Sequence, residues 1–124
     1  LTVGTEENTS DGSPASFRLE NGGNIFMNIS INATALFTAV THPSRNYQFR
    51  VNESSLETGS FSTLSNTSYL NMPAVNTSYH VVELNWRNIN DEAEIDINIT
   101  VPTDEPSGSK SSTVTFSASG SSVS

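Results

Sequence analysis

Two histidines, one acidic run and seven asparagine triplets are the residues of this chain whose types and spacing could do chemistry. A nucleophilic triad needs a base beside its nucleophile, and His42 and His80 are the only imidazoles. His42 lies in a Thr-His-Pro stretch and His80 shares a strand phase with Val82, so both read as structural or exposed rather than catalytic. Asp91, Glu92, Glu94 and Asp96 are gathered as calcium ligands would be, but they lack the D-x-[DN]-x-[DN]-G spacing of an EF-hand loop. The carboxylate pair of a glycosidase cannot be placed, and a small, aromatic-poor chain gives no reason to invoke one. Absence of cysteine excludes a disulfide scaffold, a thiol nucleophile and a Cys-ligated zinc site together. No catalytic residue, metal site or cofactor is expected, and the chain does not read as an enzyme.

The triplets remain. Asn8, Asn28, Asn32, Asn52, Asn66, Asn76 and Asn98 each open an N-x-Ser/Thr acceptor pattern for N-linked glycan. With 14 asparagines and Ser plus Thr at about 28% of the chain, chance supplies about four such triplets, so the count alone says little. Phase says more. Asn28, Asn32, Asn52 and Asn98 all fall on the polar side of an alternating stretch, where a bulky glycan has to stand. Asparagine in any half-buried strand points that way, so phase permits sugar rather than requiring it.

The elements that must position these residues are strands. From Ala93 to Val101, Ala93, Ile95, Ile97, Ile99 and Val101 alternate with Glu94, Asp96, Asn98 and Thr100. That is period 2, one face in a core and one in water. Pro102 then removes a ladder donor and ends the strand. Ile25 to Ala33 repeats the pattern with Ile25, Met27, Ile29, Ile31 and Ala33 inward, and Tyr47, Phe49 and Val51 make a third strand. Phe17 and Leu19 mark a short strand before the turn Asn21-Gly22-Gly23-Asn24, whose residues accept positive φ. Tyr79 to Trp86 reads as a strand with Val82, Leu84 and the single tryptophan, Trp86, inward as a core anchor. Thr113 to Ser119 closes with Val114, Phe116 and Ala118 inward, while Leu36 and Phe37 cap one end of the core. Between Ser54 and Ser78 the pattern loosens into short edge strands and loops.

No stretch of useful length has helical period. The reading is all-β: an antiparallel, Ig-like β-sandwich of about 6–8 strands with an extended N-terminal arm. Residues 1–15 form the arm, 16–119 the sandwich and 120–124 a tail without pattern.

Composition bounds the partners. A chain of 124 residues is about one domain. Its net charge is −8 and Lys110 is the only lysine, which argues against nucleic acid and against an anionic membrane surface. No apolar run reaches the length of a membrane span, so no membrane insertion is expected. Leu1 in place of an initiating Met points to removal of a preceding segment, a secretory signal being the simplest and a boundary chosen for expression the alternative.

Phe17-Arg18-Leu19-Glu20-Asn21-Gly22-Gly23-Asn24, followed by Asn28-Ile29-Ser30-Ile31-Asn32-Ala33-Thr34, resembles the opening hairpin of secreted archaeal β-sandwich proteins. Ile99-Thr100-Val101-Pro102, Glu105-Pro106-Ser107-Gly108 and Thr113-Val114-Thr115-Phe116 resemble the closing hairpin of such surface domains. Together they frame residues 16 to 118. Within that class the chain is similar to subunits of glycosylated archaeal extracellular threads, pilus-like filaments, and to TasA-like fibre proteins. It departs from type IV pilins and archaellins, whose long apolar N-terminal helix is missing. The resemblance implies a secreted, cell-surface subunit whose partners are copies of itself, joined head to tail by donor-strand complementation. Leu1, Thr2, Val3, Gly4 and Thr5 would be the donor strand, entering a groove lined by residues such as Ile29, Ile97 and Phe116. A cell-surface adhesion or surface-layer Ig-like binding domain, working through loops such as Thr41 to Asn46, is the alternative.

Overall fold

The computed structural model describes residues 6–8, 17–54, 58–76 and 78–120. Eight strands run in order β1 (Glu6–Asn8), β2 (Phe17–Glu20), β3 (Met27–Ala33), β4 (Tyr47–Glu53), β5 (Leu70–Asn71), β6 (Val81–Leu84), β7 (Glu92–Thr100) and β8 (Val114–Gly120). Every pairing is antiparallel, and no helix occurs among the described residues. One sheet has the order β1-β7-β4-β5, with β2 also on β7; the other is β6-β3-β8. β1 and β2 share one edge of β7, opposite residues 98–100 and 92–95 respectively, so the first sheet is four strands wide. The molecule is a β-sandwich of about seven strands.

β7 is the axis of the larger sheet. Its inward residues sit against β4 as Ile95 on Val51, Ile97 on Phe49 and Ile99 on Tyr47. β-branched and aromatic partners of this kind fill a pleated face well. Ile29, Ile31 and Ala33 of β3 close the core from the other sheet, with Met72, Val81 and Leu84. Phe49, Val51, Ile31 and Ile95 are wholly buried.

Several expectations are corrected. β7 is buried on both faces over its middle: Asp96 is 1% and Asn98 8% exposed, although both hold the phase expected to meet water. The reason is local for Asp96. The ring of Tyr69 lies over Arg50, 4.8 Å from guanidinium to ring centre, and Arg50 in turn covers Asp96. β3 begins at Met27, and Ile25 stands half-exposed before it. β6 is only four residues long and buries Val81 and Leu84 rather than Val82, Leu84 and Trp86. Glu83 causes that change of phase: it takes φ 56°, and its N–H donates to Asn28 Oδ1 at 2.9 Å. A residue in the left-handed region inside a strand makes a bulge and re-aims its neighbours. Trp86 consequently sits past the strand end, half-buried, with Arg87 over its ring. Glu6–Asn8, within the expected arm, is a strand of the sheet, while Leu1 to Thr5 lie outside the described residues.

Candidate functional site

Both histidines are hydrogen-bonded within the fold. His42 Nε2–H donates to Ala33 O at 2.8 Å and fixes the loop after β3. His80 Nδ1–H donates to Asn66 Oδ1 at 2.9 Å, and its ring packs edge-on against Phe49 at 4.9 Å. Burial pulls the His80 pKa below the ordinary value of 6.5, because a charged imidazolium would have to be desolvated. Three of the four residues of the acidic run are divided between two arginines. Glu92 and Glu94 lie 3.6 and 3.5 Å from Arg18, and Asp96 lies 2.9 Å from Arg50 Nε with Asn52 Nδ2 at 3.3 Å. Among the described residues no three acidic or histidine side chains are grouped to hold a metal ion.

A second polar junction ties the long loops together. The Glu105 carboxylate accepts from Thr38 N at 2.9 Å, Ala39 N at 2.8 Å and Lys110 Nζ at 2.6 Å. Burial pushes its pKa up, but the Lys110 bond, the two amides and the lysine charge outweigh that and hold it below the ordinary carboxylate range. At the same end of the sandwich, Tyr47 Oη donates to Ser112 Oγ at 3.0 Å, and Ser112 Oγ donates to Thr34 O at 2.7 Å, which anchors the approach to β8.

The acceptor asparagines separate by environment. Asn52 and Asn76 are exposed, and Asn28, Asn32 and Asn66 half-buried. Asn28 and Asn66 use Oδ1 as an acceptor, from Glu83 N and His80. A glycan bonds at Nδ2, so those contacts survive modification. Asn98 differs: it is only 8% exposed, against the expectation that it faces water. The side chain of Asn8 is not described.

Two clefts open on the outer faces. One of about 620 Å³ is lined by Arg45, Asn46, Gln48, Asn98, Thr100 and Asp104 among others. Another, of about 410 Å³, lies over β3 and β8 between Ser30, Tyr79 and Ser117, where Ser119 Oγ donates to Tyr79 Oη at 2.9 Å.

The sheet edges are unlike one another. The residues from Ser60 to Asn66 cover β6, through Asn85 N to Ser60 O at 2.7 Å, Ser62 N to Val82 O at 2.9 Å and Asn66 N to His80 O at 2.9 Å. The same segment reaches β4, where Val51 N donates to Asn66 O at 2.7 Å. That side of the sandwich is closed. On the opposite side β8 pairs only with β3 among the described residues. Its inward residues are incompletely covered: Ala118, opposite buried Ile29, is exposed, and Phe116, opposite buried Ile31, is half-buried. Phe116 meets Phe17 edge-on at 5.9 Å, yet Phe17 remains 45% and Ile25 42% exposed. Ile29 and Ile97 are core, 6% and 7% exposed, and line no groove; of the three groove residues expected, Phe116 alone is at the opening.

The sequence displays β8 as a strand but not its place at the end of the sheet among the described residues, because pairing order is not written in the periodicity of one strand. The available signal was the run Ser111 to Ser124, which has no charged residue. In comparisons with known proteins no family model matches this chain, and no curated protein or solved structure is significantly similar to it.

Proposed function

We propose that this chain is the structural subunit of an extracellular, N-glycosylated filament, built by donor-strand complementation between copies, like the archaeal threads and TasA-like fibres it resembles. The observation that carries the reading is the open side of the sandwich. Among the described residues the seven-residue strand β8 pairs on one edge alone, and the apolar residues beneath its other edge are part-exposed. An unpaired edge is a template for another chain's strand. When the strand comes from a second copy and the contact is head to tail, it need not close on itself, and a filament results. Asn52 and Asn76 are exposed acceptors for glycan, which would stand on outer faces and leave the β8 edge clear.

Mass spectrometry of the native protein before and after enzymatic glycan release tests the sugar, and electron microscopy tests the polymer. An unmodified chain that stays dispersed at all concentrations contradicts the reading.

The alternative is a cell-surface adhesion or surface-layer binding domain. The cleft favouring it is the one of about 620 Å³ beside Arg45 and Asn46, at the end of the loop from Thr41 to Asn46. Amide, hydroxyl and guanidinium groups converge there as they do where polar ligands are held. Loss of surface adhesion in Arg45→Ala, with assembly absent from the unaltered protein, would favour that function.

A further inference from the structure

We infer that the cleft of about 620 Å³ on the outer face of β4 and β7 binds an acidic saccharide, a hydroxyl-rich ring whose carboxylate Arg45 receives. This deepens the binding-domain alternative at the same cleft, and it holds whether or not copies assemble.

Arg45 is the residue that points to a ligand. The chain has five lysines and arginines. Four are engaged: Arg18 with Glu92 and Glu94, Arg50 with Asp96, Lys110 with Glu105, and Arg87 over the ring of Trp86 at 5.2 Å. The Arg45 side chain alone has no ion pair, hydrogen bond or ring partner among the described residues, in a chain of net charge −8. Its guanidinium is a planar fork of donors, which a carboxylate accepts through both oxygens.

The neighbours of Arg45 are fixed so as to accept hydroxyl hydrogens. Asn46 Nδ2 donates to Thr100 O at 2.7 Å. That oxygen only accepts, so the amide nitrogen must lie there and Asn46 Oδ1 is left for a ligand. Gln48 stands in a row across three strands, Asn71↔Gln48↔Asn98, with Nε2 donating to Asn71 Oδ1 at 3.0 Å. Its own carbonyl oxygen accepts nothing among the described residues. Phe49 and Ile97 beside this row are buried in the core, so the row lies on the opposite face. Val40, Val101 and Pro102 give the cleft an apolar side, against which the C–H face of a sugar ring packs.

Charge narrows the class further. Asp104 lines the same cleft and forms no ion pair with Arg45. Its carboxylate accepts from a sugar hydroxyl but repels an anion. A single carboxylate charge is opposed by Asp104 and by the net charge of −8 about half as strongly as a phosphate dianion is. The uronate class therefore fits better than a sugar phosphate.

The test is isothermal titration calorimetry on the whole chain, with trigalacturonate, neutral galactotriose of the same linkage, and galactose 6-phosphate beside galacturonate. The variants are Arg45→Ala and Gln48→Ala, with Arg87→Ala as the control for a cation lost outside the cleft, and circular dichroism confirms each fold. Trigalacturonate is expected to bind about tenfold or more tightly than galactotriose, and Arg45→Ala to remove that preference, since a hydrogen bond to a charged group is worth a factor of this size. Gln48→Ala should weaken both trimers, and Arg87→Ala neither. Equal binding of the two trimers, unchanged in Arg45→Ala, overturns the carboxylate. Galactose 6-phosphate bound more tightly than galacturonate overturns it in favour of phosphate. If none of these sugars binds, the saccharide inference is overturned; Arg45-dependent surface adhesion would then leave the binding-domain reading standing with a ligand of another class.

Discussion

Replacing either partner of the Arg50–Asp96 pair is expected to destabilise the fold, and unequally. Asp96 is 1% exposed with Arg50 Nε at 2.9 Å, while the Arg50 side chain keeps 30% of its surface in water. Breaking a fully buried pair costs about 3–5 kcal/mol, because the remaining charge stays desolvated without its partner. Asp96→Asn leaves an arginine that is partly hydrated and still stacked on Tyr69 at 4.8 Å, so about 2 kcal/mol is expected. Arg50→Met leaves a buried carboxylate that keeps the Asn52 bond but loses its cation, and a loss of about 3–5 kcal/mol is expected. Unfolding entropy of about 2.1 cal/mol/K per residue gives about 0.26 kcal/mol/K for 124 residues. The two losses therefore lower Tm by about 8 °C and by about 12–19 °C. Calorimetry of the single variants and of Arg50→Met/Asp96→Leu, which is expected to recover most of the stability, measures this directly. Equal shifts, or a larger one for Asp96→Asn, would refute the reasoning from unequal burial.

Other outcomes follow from the same geometry. The Glu105 pKa is lowered in the fold, so its contribution to stability is complete above the unfolded value of about 4.3 and is lost as pH falls through the lower folded value. Glu105→Gln should flatten urea-unfolding midpoints across that acidic window, and an unchanged slope there would contradict the Lys110 clamp. The His80 pKa is also lowered, so stability is complete above about 6.5 and declines as pH falls from there towards the folded value, since only the unfolded chain takes up the proton readily. His80→Phe should remove that part of the slope; retention of the slope would place it elsewhere. Site-resolved mass spectrometry of the native protein should find glycan at Asn52 and Asn76 and none at Asn98, which is 8% exposed. An occupied Asn98 would mean that this face of β7 opens.

The fold was legible because its strands announce themselves singly. Ile29, Ile31, Phe49, Val51, Ile95 and Ile97 follow period 2 and all are buried. Period 2 reports only that a strand has two faces, however, not what lies over the second one. Asp96 looks like a surface residue in sequence and is buried because Arg50 and Tyr69, 46 and 27 residues away in the chain, fold over it. Likewise Glu83 reads as an outward strand residue, and its positive φ depends on an acceptor supplied by Asn28, 55 residues earlier. The part-exposed face of β8 belongs to the same category. Phe116 and Ala118 have the inward phase of core residues, and they are part-exposed because β8 pairs only with β3 among the described residues.

Negative-stain electron microscopy of the native protein, without added ligand, tests the central claim most directly. The account predicts thin unbranched fibres that repeat at the spacing of one sandwich. Dispersed particles the size of a single domain, at every concentration tried, would contradict it.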